Sequence, residues 1–203
     1  MEKATQPRAF YGSFFHAPEY GSFEYLERAL IEVGEDGAIE RVIAHDDPDQ
    51  AAALAKAREA GTLYELGEGR FGLPGFVDIH IHSPQWPQAA LALDEPLYRW
   101  LDERTFPLES KFADVDFARE VYSDLVDQLL ARGSTTAVYL GSAHLEATVA
   151  LAEICAERGQ RALVGKTVMD DPAANPDYYR DASPAQAVRD IETLIREVEA
   201  IGR

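Results

Sequence analysis

Two histidines two residues apart, His80 and His82, close an apolar run that reads Gly72-Leu-Pro-Gly-Phe-Val-Asp-Ile-His-Ile-His82. Residues i and i+2 of a strand point to the same side. Asp78, His80 and His82 are therefore expected on one face, and Val77, Ile79 and Ile81 on an opposite, buried face. Neutral imidazoles side by side at a strand end, with room for water, suit zinc first and ferrous iron second. A catalytic zinc takes three protein ligands and a water whose pKa it lowers toward neutrality, so His80 and His82 alone are an incomplete set. Asp78 either orients one imidazole from behind or serves as a buried hydrogen-bonding group with no bearing on a metal; the spacing leaves both open.

The next residues, Ser83-Pro84-Gln85-Trp86, must border whatever the histidines hold. Gln85 carries both a donor and an acceptor, which matches the amide-like edge of a purine or pyrimidine. Trp86 can supply a flat apolar wall. An ordinary loop with one anchoring aromatic meets the same spacing equally well. Among the other histidines, His16 and His45 read as solvated surface positions. His144 follows a predicted strand, and a local hydrogen-bonding role is preferred there to ligation.

Elements must place these residues. Up to residue 70 the pattern is short and β-like, with strands predicted at 9–15, 30–33, 39–43 and 62–66, a turn at Glu35-Asp-Gly37 and one alanine-rich helix at 50–60. Residues 1–70 thus read as part of a small β-rich domain. From residue 71 to 203 apolar runs alternate with segments of helical period. Strands are predicted at 76–81, 135–140 and 162–168, and helices at 116–132, 146–158 and from Ser183 to Ile201. The last begins Ser183-Pro-Ala-Gln186, an N-cap serine with a reciprocal glutamine. Between the first strand and its helix lies a long connection through Pro84, Pro87 and Pro96, with a short helix at 97–103.

Three strand–helix units in series predict an α/β fold with parallel strands joined by right-handed crossovers. Eight such units close a barrel, so three leave a sheet edge unpaired and the barrel incomplete. In such barrels the functional residues sit at the carboxyl ends of the strands, where His80 and His82 fall.

The 203 residues are 46% hydrophobic, enough for a core, and carry a formal net charge of -17. That field repels phosphate backbones and anionic lipid, so no nucleic-acid or membrane partner is expected. Met1 to Arg8 lack the basic start and apolar stretch of a secretion signal. The single cysteine, Cys155, has no intrachain partner, and a cytoplasmic location is expected.

The segment ending Leu-Pro-Gly-Phe-Val-Asp-Ile-His-Ile-His82 resembles the first-strand signature of the amidohydrolase superfamily. Three further blocks are similar to guanine deaminases: Trp-Leu-Asp-Glu-Arg-Thr-Phe-Pro-Leu-Glu at 100–109, Gly-Ser-Thr-Thr-Ala-Val-Tyr at 133–139 and Gly-Gln-Arg-Ala-Leu-Val-Gly-Lys at 159–166. The resemblance runs from about residue 66 onward. It implies a metal-dependent (β/α)8 barrel that hydrolyses guanine to xanthine and ammonia with a metal-activated hydroxide, one zinc per complete site, and a homodimer. It implies His80 and His82 as the first-strand metal ligands and Gln85 as a guanine contact. The substrate-binding stretch is then His82, Ser83, Pro84 and Gln85, with Trp86 beside it; the family motif there reads His-Ala-Ser-Gln.

The family's arginine-phenylalanine contact, further histidine ligands, proton-shuttle glutamate and metal-binding aspartate have no matching segment here. The expectation is an N-terminal portion with no complete catalytic set, inactive alone and in need of a complementing chain. The alternatives are an aminohydrolase of the same superfamily acting on another purine, a pyrimidine or a triazine, and a non-catalytic fragment or split subunit.

Overall fold

A computed structural model describes residues 6–201. Contacts divide the chain into two units at Pro74/Gly75. In the first unit, β1 (Ala9–His16) pairs antiparallel with β2 (Glu24–Val33), and β2 with β3 (Ile39–Ile43). Short strands β4 (Leu63–Glu65) and β5 (Phe71–Gly72) run parallel to β1 on its other side. Helix α1 (Gln50–Glu59) lays Ala53 and Ala57 on Ala9, Leu30 and Ile43. Its Gln50 amide donates to the carbonyls of Arg28, Ile43 and Ala44, tying the helix start to the middle of β2 and the end of β3.

β2 begins six residues before the predicted start at 30. The early part is polar in sequence, but Tyr25 stacks on Phe15 at 4.8 Å and Glu24 meets His16 at 3.0 Å across the ladder. Such cross-strand pairs stabilise a strand that intrinsic preference leaves undecided.

The second unit is α/β. Strands β6 (Phe76–His82), β7 (Ser134–Leu140) and β8 (Arg161–Gly165) form a parallel sheet in the order β6-β7-β8. A helical stretch follows β6: a 3-10 turn (Ser83–Gln88), then α2 (Leu97–Trp100), a π turn (Leu101–Thr105), α3 (Phe106–Glu109) and a second 3-10 turn (Ser110–Ala113). Only 97–103 was expected to be helical. Pro107 lacks an N–H and crowds the carbonyl four residues back, and the wider π turn just upstream accommodates it.

Helix α4 (Val115–Ala131) starts on Asp114, whose carboxylate accepts from the amides of Asp116 and Phe117. Helix α5 (Leu145–Arg158) stops on Gly159 in the left-handed region, φ 74°. Both helices bury one face of the sheet in a core of Phe112, Tyr122, Leu125, Ala137, Tyr139, Leu151 and Cys155. Helix α6 (Pro184–Ile201) opens with Ser183 Oγ accepting from Gln186 N at 3.2 Å. The Gln186 side chain bonds Asp190 instead of reaching back, so the predicted reciprocal cap is half made.

Two expectations change. β8 ends at Gly165 and not at 168: past it Thr167 N still donates to Ser142 O at 3.2 Å, and the side chains of Thr167 and Lys166 tie the segment to Gly141 O and Asp181. The row Val77, Ile79, Ile81 is not a buried face: Val77 is 62% and Ile79 75% exposed, and only Ile81 packs on the core. β6 is an edge strand among the described residues, and its register explains the rest. Asp78 lies level with Ala137, yet Ile81 lies level with Tyr139, so β6 carries one extra residue there and strict alternation breaks. Among the described residues no helix is long and apolar enough to cross a membrane.

Candidate active site

The imidazoles of His80 and His82 meet at the carboxyl end of β6, and Asp78 borders the same open cleft. His80 Nε2 and His82 Nε2 are 3.2 Å apart, with ring centroids at 5.1 Å. Two imidazole nitrogens bound to one tetrahedral zinc at roughly 2.0–2.1 Å must lie about 3.3 to 3.4 Å apart, so the observed pair fits a shared ion. Partial desolvation, and then the neighbouring His80, hold His82 below the usual histidine range, with Glu109 opposing. Both effects favour the neutral imidazole that a metal requires. Among the described residues no third His, Cys, Asp or Glu joins the pair. Asp78 Oδ1 accepts from His80 N at 3.1 Å and so supports the irregular strand, not an imidazole.

The 3-10 turn after His82 sets the neighbouring wall. Ser83 is fully buried and its Oγ donates to Leu140 O at 3.2 Å, and Pro84 is also fully buried. The Ser83 bond ties the turn to the end of β7, and neither residue is among those that line the open cleft. Gln85 and Trp86 do line it. A cleft of about 400 Å³ is bounded by residues that include His80, His82, Gln85, Trp86 and Trp100. Trp86 is fixed by an Nε1 bond to Asp124 Oδ2 of α4, 2.7 Å, and packs on the core.

Sequence reasoning passed over the residues that hold Gln85. Glu109, at the end of α3 and 6% exposed, accepts from Gln85 Nε2 at 2.9 Å and from the Tyr179 hydroxyl at 2.6 Å. Tyr179, 1% exposed, lies in a 3-10 turn (Asp177–Tyr179) and accepts from Ala143 N at 3.0 Å. A signal for Glu109 was present: Phe106, Glu109 and Phe112 recur every three residues on one helix side, and all three are buried. Tyr179 lies 70 residues from Glu109, and no local spacing points to it.

His144 lies at the same strand ends, as the N-cap of α5. Its backbone bonds Ser142 and Thr148, but its ring is packed 5.7 Å from Tyr179 with Nε2 buried and without a hydrogen bond. Burial first, and then Lys166, lower its pKa, with Asp181 opposing. His16, in contrast, pairs with Glu24 at the surface and His45 is exposed, as expected.

The site thus combines two converged imidazoles at a strand's carboxyl end with an adjacent amide and aromatic. Similarities to known proteins follow the same segment. The chain is 36% identical over 203 residues to the guanine deaminase of Dictyostelium discoideum, covering 96% of this chain and 44% of that protein. A solved guanine deaminase from Bradyrhizobium japonicum superposes with a TM-score of 0.80 at 28% identity, over 94% of this chain and 40% of that one. The guanine deaminase from C. acetobutylicum, solved with guanine bound in its active site, gives 0.79 at 26% identity over 94% and 42%. The chain therefore spans less than half the length of the relatives it matches. The family model described as Amidohydrolase family matches residues 71–202, most of the chain, including both histidines and all three parallel strands. This chain belongs to the amidohydrolase family.

Proposed function

We propose that this chain is the N-terminal portion of a guanine deaminase, which hydrolyses guanine to xanthine and ammonia in purine catabolism in the cytoplasm. Residues 1–70 form part of a β-rich domain, and residues 71–203 contribute the first three units of an eight-unit barrel. The observation that carries the reading is the 3.2 Å convergence of the His80 and His82 Nε2 atoms in a cleft walled by Gln85 and Trp86. His80 and His82 hold one zinc through neutral imidazoles. When bound, the ion supplies a water acidic enough to be deprotonated near neutral pH. Gln85 hydrogen-bonds the base and Trp86, locked by Asp124, bounds it. Ser83 and Pro84 set the turn that aims Gln85.

The open sheet favours one addition to this reading. Val77, Ile79 and Leu163 are 62%, 75% and 70% exposed on the edge strands, a liability that further strands relieve. These strands come from the rest of the same polypeptide or from a complementing chain, and the complete enzyme is a homodimer.

Zinc titrated calorimetrically into the chain is expected to fill one site that is lost in His80→Ala and His82→Ala; uptake unchanged in both variants would remove the metal site. Protein expressed from the whole reading frame that encodes these residues is expected to release ammonia from guanine in preference to adenine, cytosine and melamine. Faster release from one of those would replace guanine with that base. The 203-residue chain alone is expected to show no enzyme-like turnover.

A further inference from the structure

We infer that Glu109, steered by Tyr179, decides which end of the Gln85 amide faces the cleft, and that it turns the carbonyl oxygen outward. The cleft then selects a nucleobase edge that offers N–H groups. The inference rests on the reading of Gln85 as the base contact and assigns a positioning role to two residues outside that reading.

A glutamine amide is nearly symmetric in shape, and its two ends differ only in polarity. A neighbour must make the choice. Here every bond direction follows from one backbone atom. Ala143 N–H can only donate, and it meets Tyr179 Oη at 3.0 Å, so the phenol accepts there. Its own proton is left for Glu109 Oε2, 2.6 Å away. A carboxylate accepts at both oxygens, so the group 2.9 Å from Glu109 Oε1 is the Gln85 NH2. Gln85 Oε1 remains without a protein partner among the described residues, on a side chain that lines the cleft with His80 and His82.

Burial makes the choice firm. Glu109 and Tyr179 are 6% and 1% exposed, and a reversed amide would set its carbonyl against a carboxylate oxygen with no water to separate them. Guanine carries N–H groups on its rings and its amino group, and these complement an outward carbonyl. A base that presents only lone pairs on that edge meets an oxygen lone pair.

The test is the Gln85 side-chain amide signal of the ¹⁵N-labelled chain, assigned by its loss in Gln85→Ala. In the unaltered chain one Nε2 proton is expected to exchange with water at least tenfold more slowly than those of exposed glutamines. Glu109→Gln keeps the shape but accepts either orientation, and is expected to raise that exchange about tenfold and split the signal in two. Tyr179→Phe frees the carboxylate and is expected to raise exchange several-fold, and it decides the matter if Glu109→Gln fails to fold. Unchanged Gln85 signals in a folded variant would overturn the inference. Guanine titration separates the two readings. A protected Gln85 amide that guanine does not shift removes the base contact and leaves the orientation intact. Guanine binding equally well to the unaltered chain and to Glu109→Gln removes the orientation and leaves the base contact.

Discussion

Lys166 Nζ lies 2.6 Å from Asp181 Oδ1, and the two side chains are 0% and 5% exposed. The pair joins the end of β8 to the segment before α6. Asp181 Oδ2 also accepts from Met169 N at 2.7 Å, so one carboxylate satisfies an ammonium and a backbone amide. Removing one member of a buried pair strands the other charge, which costs about 3–5 kcal/mol. Asp181→Ala is expected to lower unfolding stability by about that much in urea titrations. Adding Lys166→Met to it should recover only part of the loss, because Met169 N–H stays unpaired. A single-variant loss below about 1 kcal/mol would mean that water reaches the site.

His144 makes stability depend on pH. Its folded-state pKa lies below the ordinary 6.5 because burial and Lys166 oppose its charge. The unfolded chain therefore binds the proton more readily. The contribution is fully present above pH 6.5 and is lost as pH falls through the folded value. His82, lowered in the same direction, adds to the trend. Urea midpoints should fall from pH 7.5 to pH 5.5, and less steeply in His144→Phe. An identical slope in that variant would show that the ring titrates as freely folded as unfolded.

Cys155 should be chemically silent in the native chain. It is 2% exposed, its Sγ is 3.5 Å from Gln160 Oε1, and burial pushes its thiol up to about 12. The reactive species is the thiolate. Labelling with an aromatic disulfide at pH 8 is expected to run at least about 100-fold slower in the folded chain than in urea. Rapid labelling without denaturant would contradict the packing of α5 against β7.

What the sequence made legible was mostly periodic. The spacing of Ala118, Tyr122 and Leu125 marked α4, and Gly159 marked the end of α5, because those signals are local. The pairing of His80 with His82 was legible for the same reason. Alternation could not foresee the extra residue between Asp78 and Ile81, since a register shift is a property of two strands, not one. Val77 and Ile79 look like core residues by type, but burial depends on what packs against them. Glu109 was visible as part of a motif, yet its role depends on Tyr179 and Ala143, which come to it from a distant turn and another strand end.

The π turn at Leu101–Thr105 sets how α3, and with it Glu109, is rotated. Each residue of an α-helix advances its side chain by about 100°, and a π turn takes up one residue more than a regular turn. Without that extra residue α3 would be rotated by about a quarter turn, and Glu109 would point past Gln85. A local irregularity in helix winding thus works as a phase adjuster, aiming a buried carboxylate at the Gln85 amide.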